Sequence, residues 1–297
     1  MGQCRKNVLN LYFLKKKLMN DEVKQSESVQ LQHPELWHLV LGIDDERLKY
    51  VIYSPAQENS LMTGSVALAK SGVGYLKAVE NAVYDNPVLL NDFGRVTVAV
   101  RSGRFMLLPP EVGTDEKFAR EAFAASMPDM EGDFAVSHLE RNDVYLAFEL
   151  PKGLLSFLQR TFYTPVVTHQ LYALCETAWR LNENSPTARM HLNVGEHTLD
   201  VAVFHGQQLQ LANSFCFNDV NDAAYFALHV WKSCNLNNKE HEVLISGDSA
   251  ANREALSVKL RTYIAYVMPA ILPAAALRLG ENAHLAPTEL IQLALCE

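Results

Sequence analysis

RMHLNVGEHTLDVAVFHGQQLQLANSFCF, residues 189–217, is the stretch whose reading decides the fold. MHLNV and TLDVAVF are rich in β-branched and apolar residues, and LQLANSFCF follows with near alternation, so the pattern predicts three short strands. The Gly195-Glu196 and His205-Gly206 pairs break them into a meander with two tight turns. An amphipathic helical run follows at 219–234, then a short buried strand at 242–246 ending at Gly247, then a second helical run at 250–263. The order is βββαβα.

Within this layout the turn reads Asn193-Val194-Gly195-Glu196-His197-Thr198-Leu199-Asp200. It resembles the D-x-G-G-G-T-x-D turn that opens the second half of the superfamily of actin, DnaK-type chaperones and sugar kinases, where it cradles nucleotide phosphates. Further on, Leu244-Ile245-Ser246-Gly247-Asp248-Ser249 is similar to that superfamily's adenosine loop, an apolar strand ending in G-G-S. The resemblance covers residues 189–269, with both motifs in the expected order, and points to an uncharacterised bacterial family with this fold and no settled activity. It implies an α/β protein with a duplicated ribonuclease-H-like (actin-like ATPase) fold, βββαβα in each half around mixed five-stranded sheets. It also implies a vestigial nucleotide site at Asp44, Asn193, Gly195, Thr198, Gly247 and Ser249.

The motif needs glycine because a phosphate must come close to backbone N–H groups, and any Cβ narrows that concavity. This chain keeps one of the three glycines, with Glu196 and His197 in the other two places. A carboxylate about 4 Å from a phosphate charge costs roughly 4 kcal/mol at an effective dielectric near 20. That is roughly a thousandfold in affinity. Asn193, where the superfamily has aspartate, removes a charge that would hold magnesium through water.

A second meander is expected from Trp37 onward, in HLVLGI, RLKYVIYS and SLMTGSVALA, about 150 residues before the first-described one and therefore consistent with two related units. Ser71 is placed to cap a helix running to about Tyr84. Strands follow at 95–100 and 165–169, and helices at 151–163 and 171–181. The segment 104–150, with an amphipathic helix at 115–126 and a strand pair at 134–138 and 143–150, exceeds the minimal repeat and reads as an inserted subdomain or an elaborated edge. Asn182-Glu183-Asn184-Ser185-Pro186 marks the boundary by composition, giving a tail at 1–36, a first half at 37–186 and a second half at 187–297.

The superfamily's first phosphate loop, G-I-D-x-G-[ST], is matched only at its opening by Gly42-Ile43-Asp44; Asp45-Glu46-Arg47 replace the small residues. The bland alternative is a solvated hairpin turn, since turns accept aspartate readily. Another register aligns Gly42 with Asn193 and leaves Asp44 no inherited role. Both registers stay open at the level of sequence.

At 297 residues, 48% hydrophobic, the chain can bury a sizeable core. A net charge of −8 offers no global attraction to nucleic acid. Cys4, Cys175, Cys216, Cys234 and Cys296 show no C-x-x-C spacing, which fits free thiols in a reducing cytosol and a cytoplasmic protein. The tail carries Lys15-Lys16-Lys17 beside the short apolar run 8–14 and lacks a signal-peptide pattern; Gly2 is followed at position 6 by Lys rather than the hydroxyl residue of a myristoylation motif. Gly72-Val73-Gly74 lacks the third glycine of a dinucleotide fingerprint, Gly247-Asp248-Ser249 lacks hydrolase-elbow spacing, and His191, His197 and His205 have no adjacent cysteine pair to make a metal site. The strand-to-helix turn at 247–249 has a plain reading too, a cap by Asp248 or Ser249. The apolar run 263–279 is divided by Pro269 and Pro273 and reads as a buried crossing rather than an integral membrane segment; an amphipathic helix from Pro287 ends the chain.

Two functions follow from these residues. In one the fold has kept its shape and lost its chemistry, leaving a non-catalytic scaffold without a cofactor that binds an unknown protein partner. In the other an atypical pocket still holds ATP with magnesium.

Overall fold

The computed structural model of the chain describes residues 31–68 and 74–296. The tail features at Gly2, Cys4 and Lys15-Lys16-Lys17, the Ser71 cap and the Gly72-Val73 pair lie outside these residues. The first half runs β1 (His38–Ile43), β2 (Arg47–Tyr53), β3 (Met62–Ala67), α1 (Tyr75–Tyr84) and β4 (Arg95–Val100). An insertion follows, β5 (Phe105–Leu108), α2 (Pro110–Gly113), α3 (Glu116–Ser126), β6 (Asp133–Leu139) and β7 (Val144–Leu150), before α4 (Leu154–Thr161), β8 (Val166–His169) and α5 (Leu171–Leu181). The second half runs β9 (Ala188–Val194), β10 (Thr198–His205), β11 (Gln208–Cys216), α6 (Val220–Ser233), β12 (Glu242–Ser246), α7 (Ala250–Leu260), β13 (Tyr266–Pro269), α8 (Ala274–Leu279) and α9 (Thr288–Ala294).

Each half forms a mixed five-stranded sheet of the same order, β3-β2-β1-β4-β8 and β11-β10-β9-β12-β13. The central strands β1 and β9 pair antiparallel with the next strand and parallel with β4 and β12. The expected duplication is therefore present, strand for strand. The segment 104–108 does not extend the first sheet: β5 joins β7 and β6 in a separate three-stranded sheet.

Period-2 alternation decides which face each strand residue covers. In β1, Leu39, Leu41 and Ile43 enter a core with Val79 and Val83 of α1 and Phe157 of α4, while Val40 faces the opposite way, onto Leu290 and Ile291 of α9. In β10, Leu199, Val201 and Val203 pack with Ala227 and Trp231 of α6, whereas Ala202 and Phe204 meet Leu171, Leu174 and Cys175 of α5. The two inner faces are thus covered crosswise. The helix that closes the first half lies on the second sheet, and the helix that closes the chain lies on the first.

This exchange is fastened by polar contacts. Tyr53 Oη donates to the Ala294 carbonyl at 3.1 Å, and Arg180 of α5 donates from Nη1 to the Leu295 carbonyl at 2.5 Å. Leu290 lies so close to β1 that a Cβ on Gly42 would come within 2.9 Å of its Cδ2.

Three local expectations need correction. The run 263–279 is not a buried crossing: it forms the edge strand β13 and the short helix α8, and Ile271 between them is 83% exposed. Its two prolines end the strand and start the helix rather than sinking the segment. The helix expected from Pro151 begins at Leu154, behind Gly153 in the left-handed region (φ +83°). Neither Asp248 nor Ser249 caps α7 with its side chain; Asp248 Oδ1 instead accepts the Thr288 amide at 2.8 Å, at the first turn of α9. By contrast, Asp219 caps α6 in a reciprocal capping box with Asp222.

Two buried histidines tie the core to pH. His169 donates from Nε2 to the Ser102 carbonyl at 3.0 Å and accepts the Leu171 amide on Nδ1 at 3.3 Å; burial pushes its pKa down to about 4. His191 accepts from Asn182 Nδ2 at 2.7 Å, and burial takes it to about 3. An unfolded imidazole binds its proton near pH 6.5, so below that pH the unfolded chain holds more protons and stability falls as pH falls. Urea melts between pH 7 and pH 4.5 should show a loss of roughly 2–3 kcal/mol per histidine; a flat profile would show that these rings are not held neutral. Separately, Leu290→Ala should cost about 3 kcal/mol in the same assay at neutral pH, and a loss near zero would show that α9 is not fastened to the first sheet.

Candidate functional site

A cleft of about 700 Å³ opens between the β1–β2 turn and the β9–β10 turn. The pairing registers make these hairpins equivalent residue for residue. Gly42 faces Lys49 across the first and Asn193 faces Asp200 across the second. The third strand of each set extends the equivalence, since Gly42 lies beside Ala99 and Asn193 beside Ser246, so Arg101 and Asp248 also correspond. Gly42 is therefore the counterpart of Asn193, which settles the register that the sequence left open.

These equivalent positions carry opposite charges and pair across the cleft. Arg101 meets Asp200 with two hydrogen bonds, Nη1 to Oδ1 at 3.0 Å and Nη2 to Oδ2 at 3.1 Å. Lys49 meets Asp248 at 3.0 Å. Glu289 of α9 joins both, 3.4 Å from Lys49 Nζ and 3.6 Å from Arg101 Nη2. The first half supplies the cations of a clasp and the second half the anions.

Asp200 is 1% exposed, and its remaining capacity is filled by Ser214 Oγ at 2.6 Å and Asn193 Nδ2 at 3.4 Å. Burial works to raise its pKa, but the Arg101 guanidinium and these donors outweigh it and hold the carboxyl below the usual range. Burial likewise opposes the charge on Lys49, yet Glu289 and Asp248 lift it to about 12. Glu289 shifts upward because burial outweighs its two cations.

The turns above the clasp are closed on themselves. Asp44 Oδ1 accepts the amides of Glu46 at 2.8 Å and Arg47 at 2.7 Å, an Asx-type turn that consumes two N–H groups of the loop. In the second turn the Gly195 amide donates to the Thr198 carbonyl at 2.8 Å, and the carbonyls of Gly195 and Glu196 accept from Asn252 Nδ2 at 3.1 and 3.0 Å. Of the residues singled out by sequence, Asp44, Asn193, Gly195, Thr198 and Ser249 line the cleft together. Gly247 does not; it sits behind the lining at φ +121°, where a Cβ would meet the backbone N and O of Val194 at 2.3 Å.

Lys49, Arg101, Asp200, Asp248 and Glu289 were absent from that set. Asp200 was visible as the last letter of the turn motif, and hairpin equivalence then points to Lys49. Arg101 and Glu289 come from a strand end and a terminal helix that carry no local signal.

The lining holds six carboxylates (Asp44, Asp45, Glu46, Glu196, Asp248, Glu289) and three cations (Arg47, Lys49, Arg101). Its charge is net negative before the paired Asp200 is counted. Among the described residues, no group of three or more histidine, cysteine or acidic side chains is arranged to hold a metal ion.

Residues 26–267 match the model of DUF3822, a family described as protein of unknown function. The chain belongs to the DUF3822 family. No curated protein matches the sequence. Among solved structures, an actin-like ATPase-fold protein of unknown function from Bacteroides thetaiotaomicron VPI-5482 is similar with a TM-score of 0.75 and 21% identity, over 91% of this chain and 99% of that one. A chain of the PilM–PilN type IV pilus biogenesis complex is similar with a TM-score of 0.59 and 15% identity, over 87% and 97%. This DUF3822 chain has the actin-like ATPase fold. Lys49, Arg101, Asp200 and Asp248 fall inside the DUF3822 match and Glu289 beyond it.

Removing one partner of a buried bidentate pair strands the other charge. Arg101→Met should therefore lower unfolding free energy by about 3–5 kcal/mol, and the double variant Arg101→Met/Asp200→Leu should recover most of the loss. Equal, additive losses in a urea double-mutant cycle would mean that the two side chains are not coupled.

Proposed function

We propose that this chain is a non-catalytic member of the actin-like fold, a scaffold whose task is to bind another protein. The observation that carries this reading is the clasp. Arg101 and Lys49, two of the three cations of the lining, are already engaged by Asp200, Asp248 and Glu289. Phosphoryl transfer rests on positioned cations and metal-held charge. In this cleft those charges hold the halves together, and Gly42 and Asn193 occupy the equivalent strand ends without an acid for magnesium.

The resemblance to a chain of a pilus biogenesis complex supports a protein-binding role by analogy of fold. Cys175, Cys216, Cys234 and Cys296 are free thiols, which supports a reducing, cytoplasmic setting. Among the described residues no helix is long and apolar enough to cross a membrane. The acidic net charge supports a protein rather than a nucleic-acid partner.

A second reading, an atypical ATP-binding pocket, has one observation in its favour: a cleft of about 700 Å³ is large enough for a nucleotide and is lined by Asp44, Asn193, Gly195, Thr198 and Ser249. Thermal melts separate the two. With millimolar Mg-ATP we expect no change in melting temperature and no phosphate release. Ligand at a hundred times its Kd would add about 2.7 kcal/mol, so an upward shift that Thr198→Ala abolishes would replace the scaffold reading with the nucleotide one.

A further inference from the structure

We propose that the inserted three-stranded sheet takes on a fourth strand: an extended segment of a partner protein, apolar at alternate positions, pairs with the open edge of β6. The inference rests on the protein-binding reading above and names where, and in what conformation, the partner docks.

Register fixes which backbone groups are free. The Glu149 amide donates to the Arg104 carbonyl, so the backbone groups of residues 145, 147 and 149 in β7 turn toward β5, and those of residues 144, 146, 148 and 150 toward β6. Opposite these last lie Leu139, Ser137, Ala135 and Asp133, in unbroken register. Phe134, Val136 and His138, the alternate residues of β6, therefore turn their N–H and C=O groups away from β7. β6 ends the sheet order β5-β7-β6, and these three residues make no backbone hydrogen bond elsewhere among the described residues.

The edge has room in front of it. A cavity of about 330 Å³ runs along the strand, lined by Phe134, Val136 and His138, with Thr114 between α2 and α3 at one wall and Leu155 of α4 at the other. Val136 packs on the α3 side of the sheet, whereas Ala135 packs with Leu155 on the side of the first half, so the walls belong to opposite faces. They leave space for a single extended chain rather than for the whole sheet of a second copy. Side chains of an added strand alternate between the two walls, and those directed to Leu155 are apolar.

Another sheet edge, β13, shows what closure looks like. The Ala270 amide donates to the Ile245 carbonyl, which turns Val267 and Pro269 outward. Arg261 donates to the Val267 carbonyl from Nε at 3.2 Å and from Nη2 at 3.1 Å, and proline has no amide to offer. β6 contains no proline. An unguarded edge of this kind is a template for pairing with another chain.

The test uses the full chain. A phage-displayed library of random decapeptides is selected on it, and recovered peptides are titrated by fluorescence anisotropy. We expect saturable binding that weakens about tenfold in Val136→Pro, which removes an outward amide and no bond to β7, and that Val136→Thr leaves within about twofold. N-methylation of alternate peptide residues should abolish binding to the unaltered chain, a readout independent of how the proline variant folds. Peptides that tolerate both changes would place docking elsewhere and overturn the edge. Hydrogen exchange of the Phe134, Val136 and His138 amides without peptide should be fast. Protection at every concentration would give the edge to residues 1–30 of the chain itself, and protection that grows with concentration would give it to a second copy; either overturns the partner. If no decapeptide is recovered and Mg-ATP does not bind, the edge proposal fails while the protein-binding reading stands; if Mg-ATP binds and no decapeptide is recovered, both fail.

Discussion

Two halves of one chain meet here through charges of opposite sign at equivalent positions. Lys49 and Arg101 on one side, Asp200 and Asp248 on the other, make reciprocal pairs that follow from the duplicated topology. Each contact near 3 Å has a gross Coulomb attraction of roughly 5 kcal/mol at an effective dielectric near 20. Removing the ions from water costs several kcal/mol apiece, so the net gain in stability is small. What the pairs enforce is geometry: any other spacing of the two sheets leaves Asp200, buried and accepting from three residues, without its guanidinium.

The exchanged helices make that geometry hard to relax. α5 covers the inner face of the second sheet and α9 that of the first, so opening the cleft would expose Ala202 and Phe204 or Val40 and Val51 along with the ion pairs. Glu289 connects the two systems. It sits on the same helix as Leu290, which packs on Gly42, and it touches both clasp cations. Asp248 adds the reverse link by accepting the first amide of that helix while holding Lys49. Packing and electrostatics therefore act on one element from two sides.

Much of this architecture was legible because strands with one consistent inner face announce themselves by alternation. The β9–β11 meander, the helical run that became α6 and the duplicate meander after Trp37 were all readable, and the pairing confirms the duplication. The edge strand β13 was not, since four residues bounded by Pro269 are too short to set a period and three of them are exposed. The destination of α9 was equally hidden. An amphipathic pattern shows that a helix will bury one face and is silent about which sheet it will choose. At the site, the motif residues that share a hairpin were found together, whereas Arg101 and Glu289 acquire their role only when distant segments converge.

The loss of phosphate chemistry proposed above need not be a loss of selectivity. A nucleotide crevice selects anions by offering amides and cations; here the Asx turn at Asp44 and the hairpin at Gly195 occupy amides internally, and the clasp occupies Lys49 and Arg101. What remains exposed is a pair of carboxylates, Asp45 and Glu196, one on each turn. At physiological salt the Debye length is about 8 Å, so charges at the mouth act on a ligand already within the cleft and hardly beyond it. On the scaffold reading proposed above, the cleft keeps walls of nucleotide size while its mouth presents carboxylates, and a phosphate brought there meets like charge.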